Sequence, residues 1–93
     1  MEQGQFVAKV GWVREGRQTE YFFLSGEHDG MRLVGVNRWN GVRFQTAAEA
    51  QRQAEATVAY IGAEWEEITK QTGRPMPGEM VGMWDYAEFP RSA

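Results

Sequence analysis

His28 is the only histidine of this 93-residue chain, and it stands between the acidic residues Glu27 and Asp29. An imidazole beside carboxylates can serve as a general base or as part of a metal site. Adjacent residues on one turn rarely converge on one ion, and neither a second histidine nor a cysteine completes a transition-metal set. The run from Gly26 to Gly30 has the composition of a solvated turn, so we expect no metal and no cofactor.

Ser25 is the candidate for a catalytic nucleophile. It precedes Gly26 but lacks the preceding glycine of a nucleophile elbow. His28 follows on the same turn, which is poor geometry for a catalytic triad. The chain also contains no Gly-Lys-Ser/Thr phosphate loop and no G-x-G-x-x-G fingerprint. These residue types predict a protein that is not an enzyme.

Thr46 to Glu49 divides the chain into two unlike halves. A Thr followed three residues later by Glu is a capping box, in which each side chain satisfies a backbone N–H at the start of a helix. One apolar stripe then predicts a helix from about Ala47 to about Gln71, ended by Gly73. The expected fold is α+β, with an antiparallel β-meander of three to four strands packed against one long α-helix and a C-terminal extended or short helical tail.

Length and composition predict one domain over 1–93, with the β-meander over 5–45, the helix over 46–72 and a Pro/Met/Trp-rich tail over 73–93. Apolar residues make up 42% of the chain and aromatic residues 13%, which is ample for a small core. No signal peptide and no membrane span is recognisable, so we expect a cytoplasmic protein. The net charge of −3 argues against nucleic acid as the partner.

Alternation over 5–14 and 19–25 predicts a hairpin whose turn is centred on Glu15 and Gly16. If paired positions sum to 31, Trp12 faces Thr19 and Val10 faces Tyr21. One face of the hairpin, under the helix, then collects Phe6, Ala8, Val10, Trp12, Tyr21 and Phe23. The other face holds Val7, Val13, Phe22 and Leu24. That second face is too apolar for ordinary solvent exposure, so we expect it to form contacts.

The remaining strands are predicted from turn residues. Gly26–Gly30 precedes a third strand from Met31 to Trp39, and Asn40-Gly41 is a strong hairpin signal that introduces a short fourth strand over 42–45. The segment from Glu79 to Phe89 suits a strand or a short helix, and we favour an extended segment that lies on the sheet, near its other face or at an edge.

Two sets of residues are candidates for binding. The first is a protein-binding set of apolar residues, in which flexible methionines suit an adaptable contact surface. Its members are Val7, Val13, Phe22, Leu24, Met80, Met83 and Trp84. The second set lies at the rim of this surface or forms a platform that stacks nucleic-acid bases, and it comprises Arg32, Arg38, Arg43 and Trp39.

The hairpin, the Asn-Gly turn and the helix entry formed by Phe44, Thr46, Glu49 and Ala50 resemble small α+β proteins of phages and mobile elements, including anti-CRISPR-type inhibitors. The resemblance is architectural and covers residues 6–71. It implies a protein that acts by occupying a surface of a larger machine. We therefore expect a non-enzymatic protein–protein interaction module, an inhibitor that works as a monomer or homodimer. The alternative is a nucleic-acid-binding accessory protein that uses the arginine-bearing sheet face.

Overall fold

The computed structural model of this protein describes residues 4–15, 17–76 and 78–88. In chain order, its elements are β1 (Phe6–Arg14), β2 (Arg17–His28), β3 (Met31–Gly35), a 3₁₀ turn (Arg38–Asn40), α1 (Ala47–Thr72) and β4 (Glu79–Tyr86). The strands form one antiparallel sheet in the order β3-β2-β1-β4. This arrangement, with one long helix packed on the sheet, confirms the predicted α+β fold. Within the described ranges, no helix is both long and apolar enough to cross a membrane.

The β1–β2 hairpin turns where expected but pairs differently. Arg14 faces Arg17 across the turn, as predicted. A bulge then shifts the register between Trp12 and Val13, so that Trp12 faces Glu20 instead of Thr19. Because side chains alternate between faces, a shift of one residue moves every later β2 side chain to the opposite face. The predicted pairing was therefore wrong beyond the first two pairs.

The bulge changes the composition of both sheet faces. Val10 now faces Phe22, and Leu24 packs with Ala8 and with Ala54 of the helix. Phe22 and Leu24 thus belong to the helix side, contrary to the prediction. Tyr21 and Phe23 belong to the opposite side, which we call the far face.

The β2–β3 hairpin uses a shorter turn than predicted, within the run from Gly26 to Gly30. Asp29 and Gly30 both have positive φ, 50° and 79°, as two-residue hairpin turns of type I′ require. β2 therefore continues to His28, and the predicted turn over 26–30 is confirmed only at its last two residues. The predicted Asn40-Gly41 hairpin was also wrong, because Gly41 has φ −67° and ends the 3₁₀ turn.

The chain between β3 and α1 bridges two strands instead of forming a hairpin. β3 ends at Gly35 rather than at Trp39. The backbone N–H of Val42 donates to the carbonyl oxygen of Leu24 at 2.8 Å. Phe44 and Phe6 exchange two backbone hydrogen bonds of 2.7 and 3.2 Å. Residues 42–44 thus join β1 to β2 near their ends, and the predicted strand over 42–45 is reduced to this single bridge.

The fourth strand of the sheet is the C-terminal segment. β4 pairs with β1 along its whole length, from Phe6 opposite Tyr86 to Val13 opposite Glu79. This decides between the two alternatives for the tail in favour of a strand, and of the two predicted positions it selects the edge of the sheet. Close packing of α1 follows, because a Cβ at Gly82 would lie 2.8 Å from the backbone of Ala54.

Both ends of α1 match the prediction. The Thr46 hydroxyl accepts a hydrogen bond from the backbone N–H of Glu49 at 3.1 Å. Gly73 adopts a left-handed conformation with φ 72°, and its N–H donates to the carbonyl of Thr69 at 2.8 Å. Helix ends leave backbone groups without helical partners, and these two contacts satisfy some of them.

α1 also reaches both edge strands of the sheet. The Gln51 amide donates to the carbonyl of Gly82 and accepts from the N–H of Trp84, both at 3.0 Å. On the other side, the Arg32 side chain of β3 donates to Gln53 and Thr57 of α1 at 3.0 and 3.2 Å. Edge strands present backbone groups to which a further strand can pair. The helix thus packs on one face of the sheet, and its Gln51 side chain occupies backbone groups of the β4 edge.

Candidate functional site

The far face carries an open groove of about 740 Å³. Strands β1 and β2 form its floor, and the chain that follows β3 forms its wall. Its lining residues are Lys9, Tyr21, Phe23, Val36, Asn37, Arg38 and Trp39. We call it the far-face groove.

The 3₁₀ turn shapes the wall of the far-face groove. The Asn37 side chain accepts a hydrogen bond from the N–H of Trp39 at 3.0 Å, which caps the turn. The turn ends at Gly41, where a Cβ would lie 3.0 Å from Cγ1 of Val7. This close packing over the fully buried Val7 holds the wall against the sheet. Because the turn lies on the sheet, Trp39 projects at its surface.

Three charged side chains meet at the floor. Lys9 Nζ and Arg38 Nη2 lie 3.0 and 3.1 Å from the same carboxylate oxygen, Oδ2 of Asp85. Arg38 Nη1 also donates to the carbonyl oxygen of Tyr86 at 2.6 Å. We call Lys9, Arg38 and Asp85 the charged triad. It joins β1, β4 and the 3₁₀ turn.

The pKa of Asp85 reflects this setting. Burial raises the pKa of the carboxyl group, but hydrogen bonds from Lys9 and Arg38 and from the next backbone N–H lower it. The net result is a pKa below the ordinary value of an aspartate. The carboxylate is therefore ionised throughout the neutral range, and it holds both cations.

Aromatic rings hold the same two cations from the groove side. Lys9 Nζ lies 4.6 Å from the centre of the Tyr21 ring, and the Arg38 guanidinium carbon lies 5.2 Å from that of Phe23. Such contacts favour a cation over the ring face. The far-face groove thus combines a positively charged floor with aromatic and aliphatic walls, an arrangement suited to binding.

The predicted protein-binding residues do not form one surface. Val7 and Leu24 are buried, and Phe22 lies on the helix side, half-buried. Val13 is half-buried on the far face. The apolar patch expected from these four residues is absent because the bulge in the hairpin separates them.

The three predicted tail residues divide between the faces. Met80 and Trp84 face Trp12 and Ala8 on the helix side, whereas Met83 faces Lys9 on the far face. Trp84 forms an aromatic cluster with Phe6 and Tyr86, with ring centres 5.2–5.8 Å apart.

The predicted rim residues also separate. Arg38 and Trp39 line the far-face groove. Arg32 turns to the helix, where it donates to Gln53 and Thr57 at 3.0 and 3.2 Å. Arg43 pairs with Glu88, with 3.3 Å between Nη2 and Oε1. The arginines therefore do not line one base-stacking platform.

The two residues considered as catalytic candidates, Ser25 and His28, lie apart from the far-face groove. His28 is exposed, with Nε2 3.3 Å from Asp29 Oδ2. The Ser25 hydroxyl donates to the carbonyl of Leu33 at 3.1 Å, so it is not engaged with His28. In the part of the chain that the structure describes, no three or more His, Cys, Asp or Glu side chains are placed to hold a metal ion.

Sequence reasoning missed Lys9, Tyr21, Val36 and Asp85. One signal was present, because Lys9 and Asp85 are single charges of opposite sign within otherwise apolar strand segments. Two such charges on neighbouring strands are expected to pair. The pairing of these two strands was not recognised, since the sequence did not indicate which strand the segment containing Asp85 would pair with.

Comparison of the chain with protein-family models, with curated proteins and with solved structures finds no match. Its function is therefore inferred from the far-face groove and its charges.

Proposed function

We propose that this protein is a non-enzymatic interaction module that binds a protein partner through the far-face groove. The observation that carries the proposal is the exposure of large apolar side chains around the groove: Val36 is 76% exposed, Trp39 63% and Tyr21 43%. Apolar surface of this kind on a folded domain marks contact sites. Tryptophan and tyrosine are also enriched among the residues that dominate binding energy in protein interfaces.

The placement of α1 supports the far face as the docking side. The helix covers the opposite face, and Gln51 binds backbone groups of Gly82 and Trp84 in the edge strand β4. A partner that added a strand to β4 would have to displace this side chain. Docking on the far face requires no such displacement.

The resemblance to anti-CRISPR-type proteins supports a narrower form of the proposal. In that form the protein is a phage or mobile-element inhibitor, acts in the cytoplasm, and blocks a surface of a larger protein complex. A second copy of the chain is the alternative occupant of the groove, and it would make the protein a homodimer.

Nucleic acid is the second candidate, and the pairing of Arg38 with Trp39 beside the groove favours it. Stacking on an aromatic ring next to a cation is the common mode of single-strand binding. The net charge of −3 and the separation of Arg32 and Arg43 from this site weigh against it, because binding to a phosphate backbone draws on several cations.

The test compares two exposed apolar residues on different surfaces. Val36→Asp places a charge in the far-face groove, whereas Met76→Asp places one beside the C-terminal end of α1, in a separate groove. Both side chains are exposed, so we expect both variants to fold. Proteins captured from the host by the wild type are then purified, and calorimetry measures the affinity of the wild type and of each variant for them. We expect Val36→Asp to weaken binding at least tenfold and Met76→Asp to leave it unchanged.

Three other results would redirect the proposal. An equal loss of affinity with both variants, or a loss of affinity with Met76→Asp alone, would rule out the far-face groove as the docking site. Sedimentation showing a dimer that Val36→Asp dissociates would assign the groove to a second copy. Binding of single-stranded DNA or RNA that falls steeply with added salt would favour nucleic acid.

A further inference from the structure

We infer that the far-face groove recognises a carboxylate of its protein partner, carried by a segment that also presents an apolar side chain. The inference rests on the proposed function and names the chemistry of the partner.

The charged triad carries an excess of positive charge. Two cations, Lys9 and Arg38, share one carboxylate oxygen of Asp85. The side chains of Lys9, Arg38 and Asp85 are 15%, 13% and 21% exposed. Charge that is largely removed from water is costly unless an opposite charge balances it. A carboxylate supplied from the groove would place a second negative charge beside these two cations.

The cations are already ordered before a ligand binds. Lys9 is held between Asp85 and the ring of Tyr21, and Arg38 contacts Asp85, Phe23 and the carbonyl of Tyr86. Fixing a long side chain on binding costs conformational entropy. Here contacts within the protein already hold both side chains, so they lose little further entropy on binding. More of the free energy of a charge-assisted hydrogen bond therefore contributes to the affinity for a ligand carboxylate.

The walls determine what else the ligand carries. Tyr21, Val36 and Trp39 are exposed at the groove, and they favour an aliphatic or aromatic side chain. Among the described residues that line the groove there are two cations and no carboxylate. Two cations that share Asp85 suit one carboxylate of a ligand, whereas a nucleic-acid strand presents a phosphate at every nucleotide. The lining therefore favours an acidic, apolar peptide over a polyanion.

The test uses a pair of blocked tripeptides that differ in one group. One is acetyl-phenylalanine-glutamate-leucine-amide, and the other has glutamine in place of glutamate. Each is titrated into the isotope-labelled protein, and amide shifts are followed at Lys9, Tyr21 and residues 36–39. We expect the glutamate peptide to bind about tenfold more tightly, the difference typical of a hydrogen bond to a charged group.

The two lysines of the chain provide a matched pair of variants. Lys9→Met removes one cation of the charged triad, and Lys70→Met removes an exposed lysine near the end of α1. Both change the net charge equally. We expect Lys9→Met to abolish the preference for glutamate and Lys70→Met to retain it. If Lys9→Met does not fold, acidification of the wild type replaces it, because the preference must vanish as the peptide carboxyl is protonated near pH 4.3.

Each outcome decides the inference. Equal binding of both peptides in the groove would overturn the carboxylate site and leave the proposed docking surface intact. Absence of binding by either peptide, or binding elsewhere on the molecule, would also overturn it. Tighter binding of a short oligothymidylate that Lys9→Met abolishes would assign the cations to nucleic acid. Failure of the proposed function is a separate result, seen when Val36→Asp leaves binding of the purified partner unchanged.

Discussion

At the scale of single residues, Asp85 holds together three parts of the chain that are distant in sequence. Its carboxylate bonds Lys9 of β1 and Arg38 of the 3₁₀ turn, so it fixes both the edge strand and the wall of the groove. Breaking a buried ion pair by removing one partner costs more than the pair contributes, because the remaining charge loses its balance. Asp85 is thus the residue on which the geometry of the far face most depends.

We predict that Asp85→Asn lowers the free energy of unfolding by about 1–3 kcal/mol at neutral pH. The amide keeps the shape of the side chain but leaves two cations beside each other. Urea denaturation measures the change. Glu67→Gln is the control, because Glu67 pairs with Lys70 on an exposed surface, and such pairs contribute little. Equal stability of Asp85→Asn and wild type would show that the triad does not stabilise the fold.

The lowered pKa of Asp85 predicts a pH dependence. A carboxyl group whose pKa is lower in the folded than in the unfolded state contributes stability above its unfolded pKa and loses it as the pH falls through the folded pKa. The wild type should therefore lose this contribution below about pH 4, and Asp85→Asn should lack it. Unfolding curves between neutral pH and acid would show the two stabilities converging, whereas parallel curves would contradict the prediction.

At the scale of elements, the packing of α1 on β4 depends on small residues on both sides. Gly82 lies against the backbone of Ala54, and Ala50 and Ala54 are fully buried. Farther along the helix, larger side chains separate it from the sheet, and Trp65 meets Trp12 edge to face with ring centres 6.2 Å apart. The increase in side-chain size along the apolar stripe of α1 therefore determines how closely each helical turn approaches the sheet.

We predict opposite effects for two glycine substitutions. Gly82→Ala places a Cβ 2.8 Å from the Ala54 backbone, and such overpacking costs about 1–3 kcal/mol. Gly62→Ala lies within α1, where a Cβ meets no atom within 4 Å, so it should gain about 0.5–1 kcal/mol through helix propensity. Thermal denaturation of both variants measures the difference. A neutral Gly82→Ala would mean that α1 shifts freely on β4.

The capping residue of α1 allows a second prediction at this scale. Thr46→Ala removes the hydroxyl that accepts the N–H of Glu49, which should cost about 0.5–2 kcal/mol. Thr46→Ser keeps the acceptor and is the control, with a smaller loss expected. Chemical denaturation followed by circular dichroism provides both values. If Ala and Ser have the same effect, the hydroxyl does not cap the helix.

At the scale of the whole molecule, the bulge between Trp12 and Val13 decides what the protein buries and what it exposes. It places Phe22 and Leu24 on the helix side of the sheet and turns Tyr21 and Phe23 to the far face. The residues after β3 then complete the far-face groove. The binding surface that we propose is therefore a consequence of one irregular step in one strand pair.

This arrangement predicts that Phe22→Asp disrupts folding. A carboxylate at this position would lie on the helix side of the sheet, opposite the buried Val10, at a cost of about 3 kcal/mol or more. The helical circular-dichroism signal should fall, whereas Val36→Asp should leave it intact. Retention of the full signal by Phe22→Asp would place Phe22 on an exposed surface and restore the register that the sequence alone suggested.

The sequence by itself determined the elements whose signals are local. The capping box at Thr46, the apolar stripe and Gly73 define α1 to within one residue at its C-terminal end, because each acts within a turn or two of helix. The α+β class follows from the contrast between this helix and the alternating strands before it. The turn at Glu15 was also predicted, since its flanking residues pair directly across it.

Only the tertiary structure decided register, turn choice and the binding surface. Asp29-Gly30 and Asn40-Gly41 are both suited to hairpin turns, and pairing of β2 with β3 selects the first. The groove requires Lys9 to meet Asp85, 76 positions later in the chain, and no local pattern specifies such a contact. A single bulge then exchanges the faces of β2, because side chains alternate with a period of two and one added residue inverts all that follow.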